Sequence, residues 1–206
     1  MSVTIPGAVS IAVKFKDGVI IGNDNRMTMN YLVLSKTTKK VFTLTDDGRI
    51  AISASGLLGD LQYLVRVMRA QANLYELREN HKISVKAMAK MVANFLYSRK
   101  MAPIYTNVEI AGVDEDGTPS MYSMDAIGSL MPDNYACSGT GSTFAYGMLE
   151  AEYSPEMKVK EGVEFVKKVI RNSVKRDALT GNGMDLIVIT KNESKELSFT
   201  IDELGE

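Results

Sequence analysis

The hydrophobic period of this chain switches between that of a strand and that of a helix four times, and each helical block holds two consecutive helices. The apolar runs VSIAVKF from Val9, GVIIGND from Gly18, KVFTL from Lys40 and RIAISAS from Arg49 read as strands bounded by Gly and Asp. Asp17 and Gly18 between the first two give a hairpin turn. From Leu57 the spacing of Leu57, Leu61, Leu64, Met68, Ala72 and Tyr75 predicts a long amphipathic helix. Ser84 is the N-cap of a second, with Val85, Met88, Val92 and Phe95 on its stripe and an end before Pro103. Strands return at NVEIAGVDEDG from Asn107, SMYSMD from Ser120 and NYACSG from Asn134, with another hairpin turn at DEDG. Ser142, as N-cap, opens a short helix; Val159, Val163, Val166, Ile170 and Val174 mark another; MDLIVIT and LSFTI close the chain as strands.

Helices arriving in pairs argue against a doubly wound parallel sheet, where they alternate singly with strands. The pattern predicts an α+β fold. Two antiparallel sheets with a helical layer on each outer side give every apolar face a partner and explain the near-continuous apolar runs. No linker-like stretch interrupts the 206 residues, so one domain is expected.

Composition removes several function classes. The formal net charge is −1, with lysines and arginines scattered, which leaves no footprint for nucleic acid or anionic lipid. No apolar run approaches the roughly 20 residues of a membrane span, and the N-terminus has neither a basic nor an apolar signal region. A cytoplasmic protein is expected. Cys137 is the one cysteine and reads as a buried structural thiol; His81, the one histidine, sits in the polar stretch RENHKIS and reads as a solvated loop residue. That leaves no thiolate cluster for a metal, no Ser/His or Cys/His pair unless His81 itself serves, and no expected cofactor.

Six strings carry a resemblance: KDGVIIGNDNR from Lys16, SKTTKKVF from Ser35, SGLLGDLQYLVR from Ser55, AGVDEDG from Ala111, GTGSTFAYGMLEAEYSPEMKVKEGVE from Gly139 and KRDALTGNGMDLIVIT from Lys175. In this order the chain resembles the β subunits of archaeal-type 20S proteasome core particles, amino-terminal-nucleophile hydrolases, from Ile11 to Thr190. The resemblance implies a four-layer α/β/β/α sandwich of two antiparallel sheets between helical layers. It also implies a propeptide-like leader over residues 1–7, expected to stay uncleaved, and a β-type domain over 8–206. The leader is too short for the extra amino-terminal helix of an α subunit.

In active members of that family, removal of the leader exposes a threonine whose hydroxyl attacks the peptide carbonyl while its α-amine, with a pKa of about 8, serves as base. Counting back from KDG places this position on Ala8, after Gly7; a spacing shorter by one residue would place it on Val9. Neither side chain has a hydroxyl. The nearest hydroxyls are Thr4 and Ser10, and Ser10 falls two residues late. The remaining catalytic positions match: Asp24 and Lys40 as the acid and lysine beside the nucleophile, with Arg26 as a structural neighbour, and Ser142, Asp177 and Thr180 as the group around the terminal amine. By the same resemblance Gly56 supplies the oxyanion amide, and Ala54 lies at the base of the specificity pocket, which its small side chain would leave open. Each residue also has an ordinary role: salt bridge, helix cap, loop carboxylate or turn glycine.

Three functional readings follow. In the first, the chain is a non-catalytic, ring-forming β subunit acting in ATP-dependent intracellular protein degradation. It would partner α subunits and a paralogous active β subunit in stacked rings, with a regulatory ATPase reached through the α ring. In the second, it is an active threonine endopeptidase subunit whose nucleophile has been replaced by Ala8. In the third, it is a stand-alone domain that binds a small molecule in the cleft.

Overall fold

The computed structural model describes residues 6–200. The first sheet has the strand order β10-β1-β2-β11-β12, formed by Tyr135–Ser138 (β10), Ser10–Phe15 (β1), Gly18–Asp24 (β2), Gly183–Thr190 (β11) and Ser194–Thr200 (β12). The second has the order β5-β6-β7-β8-β9, formed by Val41–Thr43 (β5), Ile50–Gly56 (β6), Thr106–Val113 (β7), Pro119–Met124 (β8) and Met131–Pro132 (β9). All the pairings are antiparallel. A separate hairpin joins β3 (Met27–Met29) to β4 (Leu32–Ser35). The helices are α1 (Leu58–Glu79), α2 (Val85–Ser98), α3 (Ser142–Glu152) and α4 (Val159–Arg176).

Three apolar layers make this a four-layer sandwich. Ile50, Ile52, Val108 and Ile110 pack under α1 and α2, and Ile11, Val13, Ile20 and Leu186 pack under α3 and α4. Between the sheets lies a third layer in which Ala12, Ala51, Ala111 and Ala136 pack with larger residues such as Ile21, Met121 and Ile187. Strand alternation separates these layers cleanly, one residue toward a helix and the next toward the other sheet. Fully burying one Ile or Leu of such a layer contributes about 1.5–3 kcal/mol.

The helix stripes hold with local corrections. Leu61, Leu64, Met68 and Ala72 are buried, but Leu57 precedes α1 and is 43% exposed. Ser84 caps α2 by accepting from the Ala87 amide at 3.2 Å. The cap expected of Ser142 is not made: the N-cap of α3 is Gly141, and Ser142 is the first helical residue. On α4, Val159, Val166 and Ile170 are buried, and Gly162 lies so close to the Phe15 ring that a Cβ there would meet it at 2.5 Å. Strands β3, β4 and β9 were not expected; at two to four residues they carry too little period to read. The expected leader residues 1–5 and Ile201 of LSFTI lie outside the described residues. His81 is exposed and edge-on to Tyr75, and burial pushes the Cys137 thiol well above its ordinary pKa. Among the described residues no helix is long and apolar enough to cross a membrane.

Candidate functional site

Register brings the ends of several strands together at one end of the sandwich. Ser10 pairs with Asn23 on one side and Ser138 on the other, and Gly56 pairs with Thr106 in the second sheet. The sequence-expected site residues gather at this end.

Asp24 is its hub. Its Oδ1 accepts from Lys40 Nζ at 2.7 Å and from the Val9 amide at 3.0 Å; its Oδ2 accepts from the amides of Arg26 at 3.1 Å and Gly181 at 2.9 Å. Both side chains of the ion pair are buried, Asp24 fully and Lys40 with 8% of its side chain exposed. Burial pushes the Lys40 pKa below its ordinary value although Asp24 pulls it upward. One carboxylate oxygen therefore joins the start of β1 to the lysine, and four donors offset its loss of water. Arg26 turns away to donate to Asn182 Oδ1 at 2.8 Å and the Ala178 carbonyl at 2.9 Å, which fixes the loop that carries the Gly181 amide.

Ala8 sits at the head of β1 with 1% exposure, and its carbonyl accepts from the Gly141 amide at 3.1 Å. The preceding Gly7 donates to Thr28 Oγ1 at 3.0 Å and lies against Leu179, whose Cβ a side chain at position 7 would meet at 2.3 Å. The side chain at this position is a methyl group.

Asp177 and Thr180 come together at the end of α4. Asp177 accepts from Thr140 Oγ1 at 2.5 Å and from the Leu179 amide at 3.0 Å, while Thr180 donates its hydroxyl to the Asp177 carbonyl at 3.2 Å. Ser142 stands nearby at the first turn of α3 without a hydrogen bond to either. Gly56 has φ +130° with the Tyr105 carbonyl 2.1 Å from where a Cβ would stand, so only glycine fits. Ala54 is buried and lines a small recess of about 10 Å³ together with Lys40, Gly56, Leu57, Leu58 and Leu61.

The expected set omitted one group. Glu109 on β7 points between the sheets and is 1% exposed. It accepts a hydrogen bond from Ser10 Oγ, which also lies 2.7 Å from Ser53 Oγ. Asn23 donates to Ser53 Oγ at 3.0 Å, and Ser55 donates to Ser138 Oγ at 2.8 Å. Burial pushes the Glu109 carboxyl up to about 7, against the hydrogen bonds from Ser10 and Ser138 that favour its charge. A cleft of about 720 Å³ opens onto this polar layer, lined by Pro6, Gly56, Glu109, Ser138, Thr140 and Ser142 among others. The signal in the sequence was a lone acid inside NVEIAGV, at the phase of Ala111 and Val113 that faces the other sheet.

The Proteasome subunit family model matches residues 6–189. That span includes the Asp24 and Lys40 pair, the Asp177 loop and the head of β1. The chain belongs to the proteasome subunit family. It is 37% identical over 199 residues to proteasome subunit beta 1 of Desulfurococcus amylolyticus, covering 96% of each chain. It is 38% identical to proteasome subunit beta of Methanospirillum hungatei, over 95% of this chain and 92% of that one. With proteasome subunit beta 2 of Pyrobaculum neutrophilum the identity is 37%, over 92% of each chain. These relatives make it a β-type proteasome chain, and the sandwich is the fold expected of one.

Proposed function

We propose that this chain is a non-catalytic β subunit that completes a proteasome ring beside an active paralogous β subunit. The ring stacks on α subunits, through which a regulatory ATPase in the cytoplasm delivers substrate. The observation that carries the reading is Ala8. Threonine-type hydrolysis needs a hydroxyl as nucleophile and a free amine as base on the same residue, and residue 8 offers a methyl group and an amide within a continuous chain. Val9, the alternative position, is a buried aliphatic residue. Relatives named beta 1 and beta 2 fit a ring built from more than one β chain.

In this reading Asp24, Lys40, Ser142, Asp177 and Thr180 hold the head of β1 and the loop after α4 in place. The test is peptide hydrolysis by particles assembled from this chain, its α partner and a β partner whose own nucleophile has been replaced. No hydrolysis above background is expected. Residual hydrolysis that disappears on Asp24→Asn in this chain would overturn the assignment.

A further inference from the structure

The hairpin of β3 and β4 leaves the sandwich with an apolar surface that no other described residue covers. Met29, Tyr31, Leu32 and Leu34 are all exposed, Tyr31 at 92%. No residue of the hairpin joins any of the three apolar layers. A two-stranded hairpin is marginal in water unless one of its faces packs against something. Its base is fixed at the head of β1, where Thr28 accepts from the Gly7 amide at 3.0 Å. From Met27 to Lys40 the segment has no acidic residue. Lys39 and Lys40 are engaged by Glu196 and Asp24, whereas Lys36 has no ion-pair partner among the described residues. The hairpin is thus an apolar projection with a spare positive charge at its foot.

A surface of the opposite kind begins at Pro6, the residue before Gly7. The cleft of about 720 Å³ is concave, and its lining includes the exposed apolar side chains of Tyr105, Met131 and Tyr146. Among the described residues that line it are two carboxylates, Glu109 and Asp125, and no lysine, arginine or histidine. We infer that the β3-β4 hairpin of one copy of this chain docks into the cleft of a second copy, so that chains join head to tail. Shape and charge both match: a convex apolar tip with a basic foot meets a concave apolar lining with acidic walls. Another exposed apolar pair, Tyr97 and Met101 at the end of α2, flanks Arg99 and Lys100, which carry the same sign as the hairpin and so offer it no complement. Because the two surfaces differ, every added copy still presents a free hairpin or a free cleft, and association grows until the rotation closes a ring. The inference deepens the ring assignment, on which it rests for its setting, but both halves of the contact lie on this chain and neither needs a nucleophile.

Two exposed positions test this in the full-length chain. Tyr31→Glu sets a negative charge against the acidic cleft, and Met131→Lys sets a positive charge against the basic hairpin. Sedimentation of the unsubstituted chain should show association that grows with concentration, and each substitution should weaken it at least about tenfold. An equimolar mixture of the two variants should recover a dimer and grow no further, because one variant keeps an intact cleft and the other an intact hairpin. Two like surfaces meeting about a two-fold axis could not give that result. Cross-linking needs neither charge variant: a photoreactive phenylalanine analogue at Tyr31 should join residues 105–107 or 123–131 of a second copy. A chain that stays monomeric up to its solubility limit, a mixture that yields no dimer, or an adduct that maps elsewhere overturns the inference. Adducts found only on α chains or on a paralogous β chain in assembled particles would also overturn it. The non-catalytic assignment would survive any of these results, since peptide hydrolysis tests it separately.

Discussion

Asp24 and Glu109 are two buried carboxylates at the same end of one sandwich, and the fold treats them differently. Asp24, at the end of β2, collects a lysine and three backbone amides. Glu109 faces the other sheet and collects hydroxyls, with no cationic partner among the described residues. The first has a cationic partner at 2.7 Å; the second is pushed by burial to about 7 and exchanges charge for a proton near neutrality. The Asp24 hub braces the head of β1, whereas the Glu109 layer faces an open cleft.

The most damaging way to break the contrast is to strip Asp24 of its cation. Lys40→Met leaves a buried carboxylate with backbone donors alone and should lower the unfolding free energy by about 3–5 kcal/mol in a denaturant titration.

The next effect belongs to pH. The Glu109 pKa rises from 4.5 in the unfolded chain to about 7 in the folded one, so the folded state holds the proton more tightly. Its contribution is therefore fully present below about pH 4.5 and is lost as pH rises through about 7, a fall of about 3 kcal/mol by pH 8 or 9. Denaturant titrations across that window should show the slope, and Glu109→Gln should flatten it while the contribution of Lys40 persists.

Ser10→Ala sharpens the same point. It removes a donor to Glu109 and should cost about 1.5–3 kcal/mol at pH 8, where the carboxylate is charged, and about half as much at pH 5. Equal losses at both values would mean that the hydroxyl serves packing rather than charge. The smallest effect is a reference remote from both carboxylates: Ser84→Ala should cost about 1 kcal/mol through the lost cap of α2, with no dependence on pH over this range.

Most of this architecture was legible because long elements repeat their period. The stripe of Val159, Val166 and Ile170 and the alternation of Ile11 and Val13 with Ala12 each state which face is buried. Short elements were not legible, and neither were contacts between residues distant in sequence. Nothing near Thr140 announces that it donates to Asp177, and nothing near Leu58 and Leu61 announces that they line a recess with Ala54. The candidate site positions came from resemblance alone, through fixed offsets in strings such as KDGVIIGNDNR. Glu109 escaped for the opposite reason: it belongs to no string, and only the second sheet opposite it shows what it meets. Ser142 was misread as a cap because a serine before a helix is a good prior, but here Gly141 ends the loop first.

The account turns on whether residue 8 can act. Its most direct test is the intact mass of this chain taken from particles assembled with its α and β partners, disregarding loss of Met1. The account predicts that the leader through Gly7 is retained. A new terminus at Ala8, Val9 or Ser10 would contradict it.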